Sequence, residues 1–133
     1  KEAIPAAVLL NTEPLDDEVR RSIQKHPEYA RRMLCDITFL LPALDIPYCH
    51  HEKWDGSGYP RGLKGDKIPL PARIFSIIDV WDALIHERPY HKPWELDEAL
   101  KYVTSLSGTH FDPMVVDEFL AMIMDEAMSG NGA

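Results

Sequence analysis

Residues 50–60 read His50-His51-Glu52-Lys53-Trp54-Asp55-Gly56-Ser57-Gly58-Tyr59-Pro60. Two adjacent histidines and an acid run directly into a glycine-broken loop. Neutral imidazole is the commonest protein metal ligand. Neighbours on a helix point about 100° apart, so such a pair can serve two adjacent ions, or one ion and a bound phosphate. Asp55-Gly56 and Ser57-Gly58 predict turns, and Pro60 a stiff exit from them.

Outward from this stretch the pattern is helical. Asp16 caps a helix expected over Asp17 to Lys25, which His26-Pro27 interrupts. Pro27 suits the first position of a second helix, whose Tyr29, Met33, Ile37 and Leu40 predict one buried stripe. Pro42 and Pro47 bracket a link, and a helical turn from Tyr48 to Lys53 is expected to hold the paired histidines. A loop over 54–70 precedes an apolar, central helix from Pro71 to His86. That helix has Ile74, Ile77, Ile78, Trp81 and Ile85 on one stripe and Phe75, Val80 and Leu84 on other sides. A helix from Glu95 to Leu106 stops at Gly108. Asp112-Pro113 caps and starts the last helix, with Val116, Phe119 and Ile123 facing inward, and 129–133 read as a disordered tail.

The chain has 133 residues, 45% of them apolar, enough for one domain with a real core. A net charge of −8 argues against a nucleic-acid surface. It leaves room for a small phosphorylated ligand, because bound metal supplies local positive charge. Cys35 and Cys49 lack metal-ligand spacing and read as buried reduced thiols of a cytoplasmic protein. No apolar run is long enough to span a membrane, and no signal peptide is expected. The first residue is not Met, so the chain reads as a piece of something longer.

The chemistry centres on His26, His50, His51 and Asp79. A carboxylate within Ile-Ile-Asp-Val-Trp-Asp-Ala-Leu is costly to bury alone and needs a cation, a metal or several donors. Asp79 could otherwise pair with Arg73 or Arg88, and Asp82 stands between a substrate contact and a helix salt bridge. Histidines with one aspartate suit Mn, Fe, Zn or Ni, and two such ions are the usual device for attacking a phosphodiester. His86 and His110 read as structural, Trp54 and Trp81 as anchors.

The run from His50-His51-Glu52 to Gly58-Tyr59-Pro60, then Ile68-Pro69-Leu70, Asp79-Val80-Trp81-Asp82-Ala83-Leu84, Arg88-Pro89-Tyr90 and Gly108-Thr109-His110-Phe111-Asp112-Pro113, resembles the HD-GYP domain. That is a branch of the HD metal-dependent phosphohydrolases. The resemblance covers nearly the whole chain and implies an all-α HD-superfamily bundle, truncated on its N-terminal side, over residues 1–128. It also implies two or three divalent ions, either Fe, Mn, Ni or Zn, and hydrolysis of the bacterial messenger cyclic di-GMP to pGpG or GMP.

By the same resemblance His26, His50, His51 and Asp79 are the metal ligands. Lys1 corresponds to the lysine that contacts the bridging water or the phosphate. Arg88, with Asp82 beside it, holds substrate phosphates, and His91 stands where the family usually has Lys or Arg. Gly58, Tyr59 and Pro60 form the loop that shapes the edge of the site and is linked to docking on diguanylate cyclase domains. The family's His-Asp pair lies just before the position of Lys1 and is absent from this chain, so its activity is expected to be impaired. The same truncation is expected to expose part of the central helix and to favour self-association. Two other functions stay open: an HD phosphohydrolase acting on another cyclic dinucleotide, and a non-catalytic module binding signalling partners.

Overall fold

The computed structural model describes residues 17–87 and 92–130. Over these it is helical. The elements are α1 (Asp17–Ile23), α2 (His26–Leu34), a 3-10 segment (Thr38–Ala43), α3 (Asp45–Cys49), a short 3-10 turn (Gly65–Lys67), α4 (Leu70–Ile85), α5 (Leu96–Ser105) and α6 (Pro113–Gly130). No strand occurs among the described residues, only an isolated bridge between Ser107 and Phe111. The all-α expectation therefore holds.

α4 is the hub, packing against α3, α5 and α6. Its Ile77, Trp81 and Leu84 join Ala99, Val103, Phe111, Val116 and Phe119 in the main core, where Trp81 meets Phe119 edge-on at 5.2 Å. One turn nearer its start, Ala72 joins Cys49 and Ile68 in a second, smaller core under the histidine loop. Burial of each large apolar side chain stabilises the fold by about 1.5–3 kcal/mol, so these two clusters outweigh any surface pairing. The third face of α4 is bare: Leu70, Ile74, Phe75 and Ile78 are all exposed. With Ile46 and Pro71 they line an apolar groove of about 310 Å³.

Several expectations need correction. The stripe on the second helix is not buried, since Met33 is 60% exposed and Tyr29 and Ile37 are exposed too. That helix ends at Leu34 and does not run to Leu40. A 3-10 segment with Pro42 inside it follows from Thr38 to Ala43. Cys35 is exposed, whereas Cys49 is buried. Burial pushes the Cys49 thiol up to about 11, with Glu52 and Asp45 adding to the shift, so it is inert. Pro47 does not end a link. It lies in the first turn of α3, where a missing N–H costs nothing. The paired histidines consequently follow a helix end and do not sit inside a helix. The final helix continues through Ser129 and Gly130, and 131–133 lie outside the described residues, as does the cap assigned to Asp16.

Asp112 caps α6 as its sequence predicts, its Oδ1 accepting the Met114 N–H at 2.9 Å. Its Oδ2 lies 2.6 Å from Arg73 on α4, and the Asp112 side chain is only 3% exposed. Breaking a buried pair from one side leaves an uncompensated charge. Asp112→Ala should therefore lower the unfolding free energy by about 3–5 kcal/mol in urea titrations. Asp66→Ala, which removes the other Arg73 partner at a position 92% exposed, should change it by less than about 0.5 kcal/mol. Equal effects of the two would show that the buried pair is not what joins α4 to α6.

Candidate metal centre

Three imidazoles converge where α2 begins and α3 ends. His26 is the first residue of α2, His50 follows the last residue of α3, and His51 comes next. One ring nitrogen from each lies within 4.8 Å of the others. The His26 and His51 Nε2 atoms are 3.1 Å apart.

The backbone fixes the state of two of these rings. His26 Nδ1 lies 2.7 Å from the Ile23 carbonyl, and His50 Nδ1 lies 3.1 Å from the Ile46 carbonyl. A carbonyl only accepts, so in each ring Nδ1 carries the hydrogen and the neutral ring leaves Nε2 with its lone pair. That arrangement is the usual one for a metal-ligating histidine. Two nitrogens bound to one ion at about 2.0–2.1 Å stand roughly 3 Å from each other, so the His26–His51 separation suits a shared ion. The residues present fit a divalent transition ion, to which they would offer imidazole nitrogens.

Electrostatics favour the same neutral form. Burial lowers His50 from its usual value, with His26 adding to the effect and Asp79 opposing it. His51 falls to about 3, chiefly by burial, then by His50, His26 and His110. Asp79 itself is exposed on α4 and is not among the donors gathered within 4.8 Å. It is close enough for its charge to act on His50 and on Tyr59, whose hydroxyl is pushed up by burial and then by Asp79.

A loop closes over His51, held by a residue to which the sequence assigned no role. Glu52 is 2% exposed, and its two oxygens accept the Arg61 and Leu63 N–H groups, each at 2.8 Å. The loop returns so tightly that a Cβ on Gly58 would stand 2.3 Å from the Lys53 nitrogen and 2.4 Å from the His51 oxygen, so only glycine fits there. The Tyr59 N–H then donates to the His51 carbonyl at 3.1 Å, and the Tyr59 ring stacks on His51 at 4.8 Å, followed by Pro60 through a cis peptide bond. The Asp55 carboxylate accepts the Ser57 N–H at 2.8 Å, the turn expected of an Asp-Gly-Ser-Gly run. Further along, Trp54 and Asp55 donate their N–H groups to the His110 and Thr109 carbonyls, and the Arg73 guanidinium lies over the Trp54 ring at 5.8 Å.

The other expected site residues lie elsewhere. Arg73 is committed to Asp112 and Asp66 and does not serve Asp79. Asp82 is 3.0 Å from His86 Nδ1 on the exposed end of α4, so the pairing of the two is a helix-surface one. His110 stacks on Phe111, and burial, then Lys53, lowers it. Lys1, Arg88 and His91 fall outside the described residues. Phe75, which meets His50 edge-on at 5.7 Å, was read only as an apolar residue of α4.

The depressed His51 has a consequence for stability. Its folded value of about 3 lies below the ordinary 6.5, so between these limits the unfolded chain binds a proton that the folded chain does not. Its contribution is intact above about pH 6.5 and is lost as pH falls towards 3. Urea midpoints of chelator-treated protein should drop over this window, and the drop should be shallower in His51→Gln. Parallel pH profiles would contradict the assignment.

Comparison with known proteins identifies the family. A family model described as HD domain matches residues 1–115. The chain is similar to a cyclic di-GMP phosphodiesterase of Vibrio cholerae, 43% identical over 129 residues, covering 92% of this chain and 26% of that protein. It is also similar to a 3'3'-cGAMP-specific phosphodiesterase 2 of the same organism, 40% identical over 131 residues, with 92% and 25% covered. A crystal structure of a cyclic GMP-AMP specific phosphodiesterase from V. cholerae superposes with a TM-score of 0.69 at 22% identity, covering 98% of this chain and 34% of that one, and so shares the fold. The chain spans about a quarter to a third of the length of these proteins. A model match over most of the chain, joined to a relative of this identity and to the helical fold, places the chain in the HD domain family.

Proposed function

We propose that this chain belongs to a metal-dependent phosphodiesterase that hydrolyses cyclic di-GMP to pGpG or GMP in bacterial signalling. The observation that carries the reading is the convergence of His26, His50 and His51, with ring nitrogens within 4.8 Å and two tautomers fixed by the backbone. The name of the V. cholerae relative supplies the substrate. A second reading, cyclic GMP-AMP as substrate, is favoured by the relative at 40% identity.

In this reading His26, His50, His51 and Asp79 hold divalent ions, two or three in number, of Fe, Mn, Ni or Zn. Bound metal would activate water and stabilise charge on the phosphoryl oxygens. The chain's own residues orient the histidine donors and lay the Gly58-Tyr59-Pro60 loop along the edge of the centre. Lys1, Asp82, Arg88 and His91 are proposed to contact the substrate. No helix among the described residues is long and apolar enough to cross a membrane, and we place the protein in the cytoplasm.

The test pairs elemental analysis with turnover, on protein purified without chelator or His tag. Bound transition metal and faster cleavage of cyclic di-GMP than of cyclic GMP-AMP are expected. In His50→Ala and His51→Ala both metal and activity should fall by more than about tenfold. Metal without cleavage of either dinucleotide would leave the domain a non-catalytic module. The bare face of Leu70, Ile74, Phe75 and Ile78 is also proposed to support self-association, and a monomeric mass by light scattering at high concentration would count against that.

A further inference from the structure

We propose that Tyr59 is the positioning residue for His51, its ring doing by stacking what a backbone hydrogen bond does for the other two histidines. The inference rests on the metal-centre reading above and extends it. His26 and His50 are each locked by an Nδ1 hydrogen bond to a carbonyl three or four residues back. His51 differs: its Nε2 faces the His26 Nε2 at 3.1 Å, and no hydrogen bond holds its Nδ1 among the described residues. A ligating histidine normally has such an outer partner, because the partner fixes the direction of the lone pair.

What His51 has is contact with neighbouring rings. His50 lies 3.9 Å away at 40°, and Tyr59 lies 4.8 Å away at 25°, within the offset-stacked range of about 4.5–7 Å. A turn of the imidazole about its side-chain bonds would forfeit the near-parallel stack on Tyr59. The stack is itself held from below. The Tyr59 N–H donates to the carbonyl of His51, the same residue its ring covers. Gly58 allows that approach, and Glu52 closes the loop through Arg61 and Leu63. Thus three consecutive residues of the motif work together: two supply donors, and the third fixes the loop that aims the second donor.

The experiment measures Zn²⁺ and Co²⁺ affinity of the full chain by competition with a chromophoric chelator, for wild type, Tyr59→Leu and Tyr59→Phe. Co²⁺ absorption spectra and thermal melting are recorded in parallel. Tyr59→Phe keeps the ring and should bind within about twofold of wild type. Tyr59→Leu should bind about ten- to a hundredfold more weakly, with an altered Co²⁺ spectrum, at temperatures where it is fully folded. Equal binding by Tyr59→Leu, or equal loss in both variants, would overturn the proposal. If the wild type takes up no metal, the metal-centre reading fails. The stacking is then decided in metal-free protein by the ring-current shift of the His51 Cδ2 proton in NMR spectra. A shift present in wild type and Tyr59→Phe but lost in Tyr59→Leu supports the positioning role, and its absence from wild type overturns it.

Discussion

Glu52 stands against a simple rule, that a carboxyl group does not leave water unless something replaces its hydration. It is 2% exposed, and no salt bridge among the described residues reaches it. Its replacement for water is the backbone: one N–H for each oxygen, both at 2.8 Å. Residues 61 and 63 can offer their N–H groups to one carboxylate only if the chain bends between them, and Gly62 supplies that bend at φ 65°. Once the far end of the loop is pinned there, the near end has little freedom. Gly58 is drawn against the backbone of 51–53, and Tyr59 follows onto His51. The shape of the motif loop is thus a consequence of solvating one acid with peptide groups.

The same loop is joined to the rest of the fold on its other side. Arg73 leaves α4 and meets Asp112 at the start of α6, with Trp54 of the loop under its guanidinium. Trp54 and Asp55 also pair with the backbone of the turn before α6. The small core of Cys49, Ile68 and Ala72 sits beneath, so α3, the loop and α4 share apolar support directly below the histidines. The histidines thus adjoin a packed cluster through Cys49, which matters because donor separations of about 3 Å tolerate little drift in any one ring.

How much of this was legible in the sequence depends on the range of the interaction. α4, α5 and α6 were readable to within a residue or two, because periodicity and caps are local: Asp112-Pro113 starts α6, and Gly108 at φ 79° follows α5. His26, His50 and His51 were readable as a set because the motif fixes residue types in order. The stripe of Tyr29, Met33 and Ile37 misled because amphipathic spacing shows that a face is apolar but not that anything covers it. Pro47 misled because a proline in a first turn and a proline in a link have the same local signature. The roles of Glu52 and Arg73 were not legible. Their partners lie 9 and 11 residues away for Glu52 and 39 for Arg73, and no periodicity reports such distances.

The charge of the chain and the charge of the site point in opposite directions, and their reconciliation bears on the ligand. A net charge of −8 repels anions at long range. At the centre, burial and mutual repulsion favour the neutral form of His50 and His51. Neutral donors do not cancel the charge of an ion that they hold, and Asp79 would offset only part of it. A divalent ion held there would leave a concentrated positive field in an otherwise acidic surface, screened within about 8–10 Å at physiological salt. Such a field discriminates by distance: it does little for a bulk polyanion facing the whole acidic surface. It acts strongly on a compact ligand whose phosphodiester groups come within contact range, and a cyclic dinucleotide is a ligand of that kind.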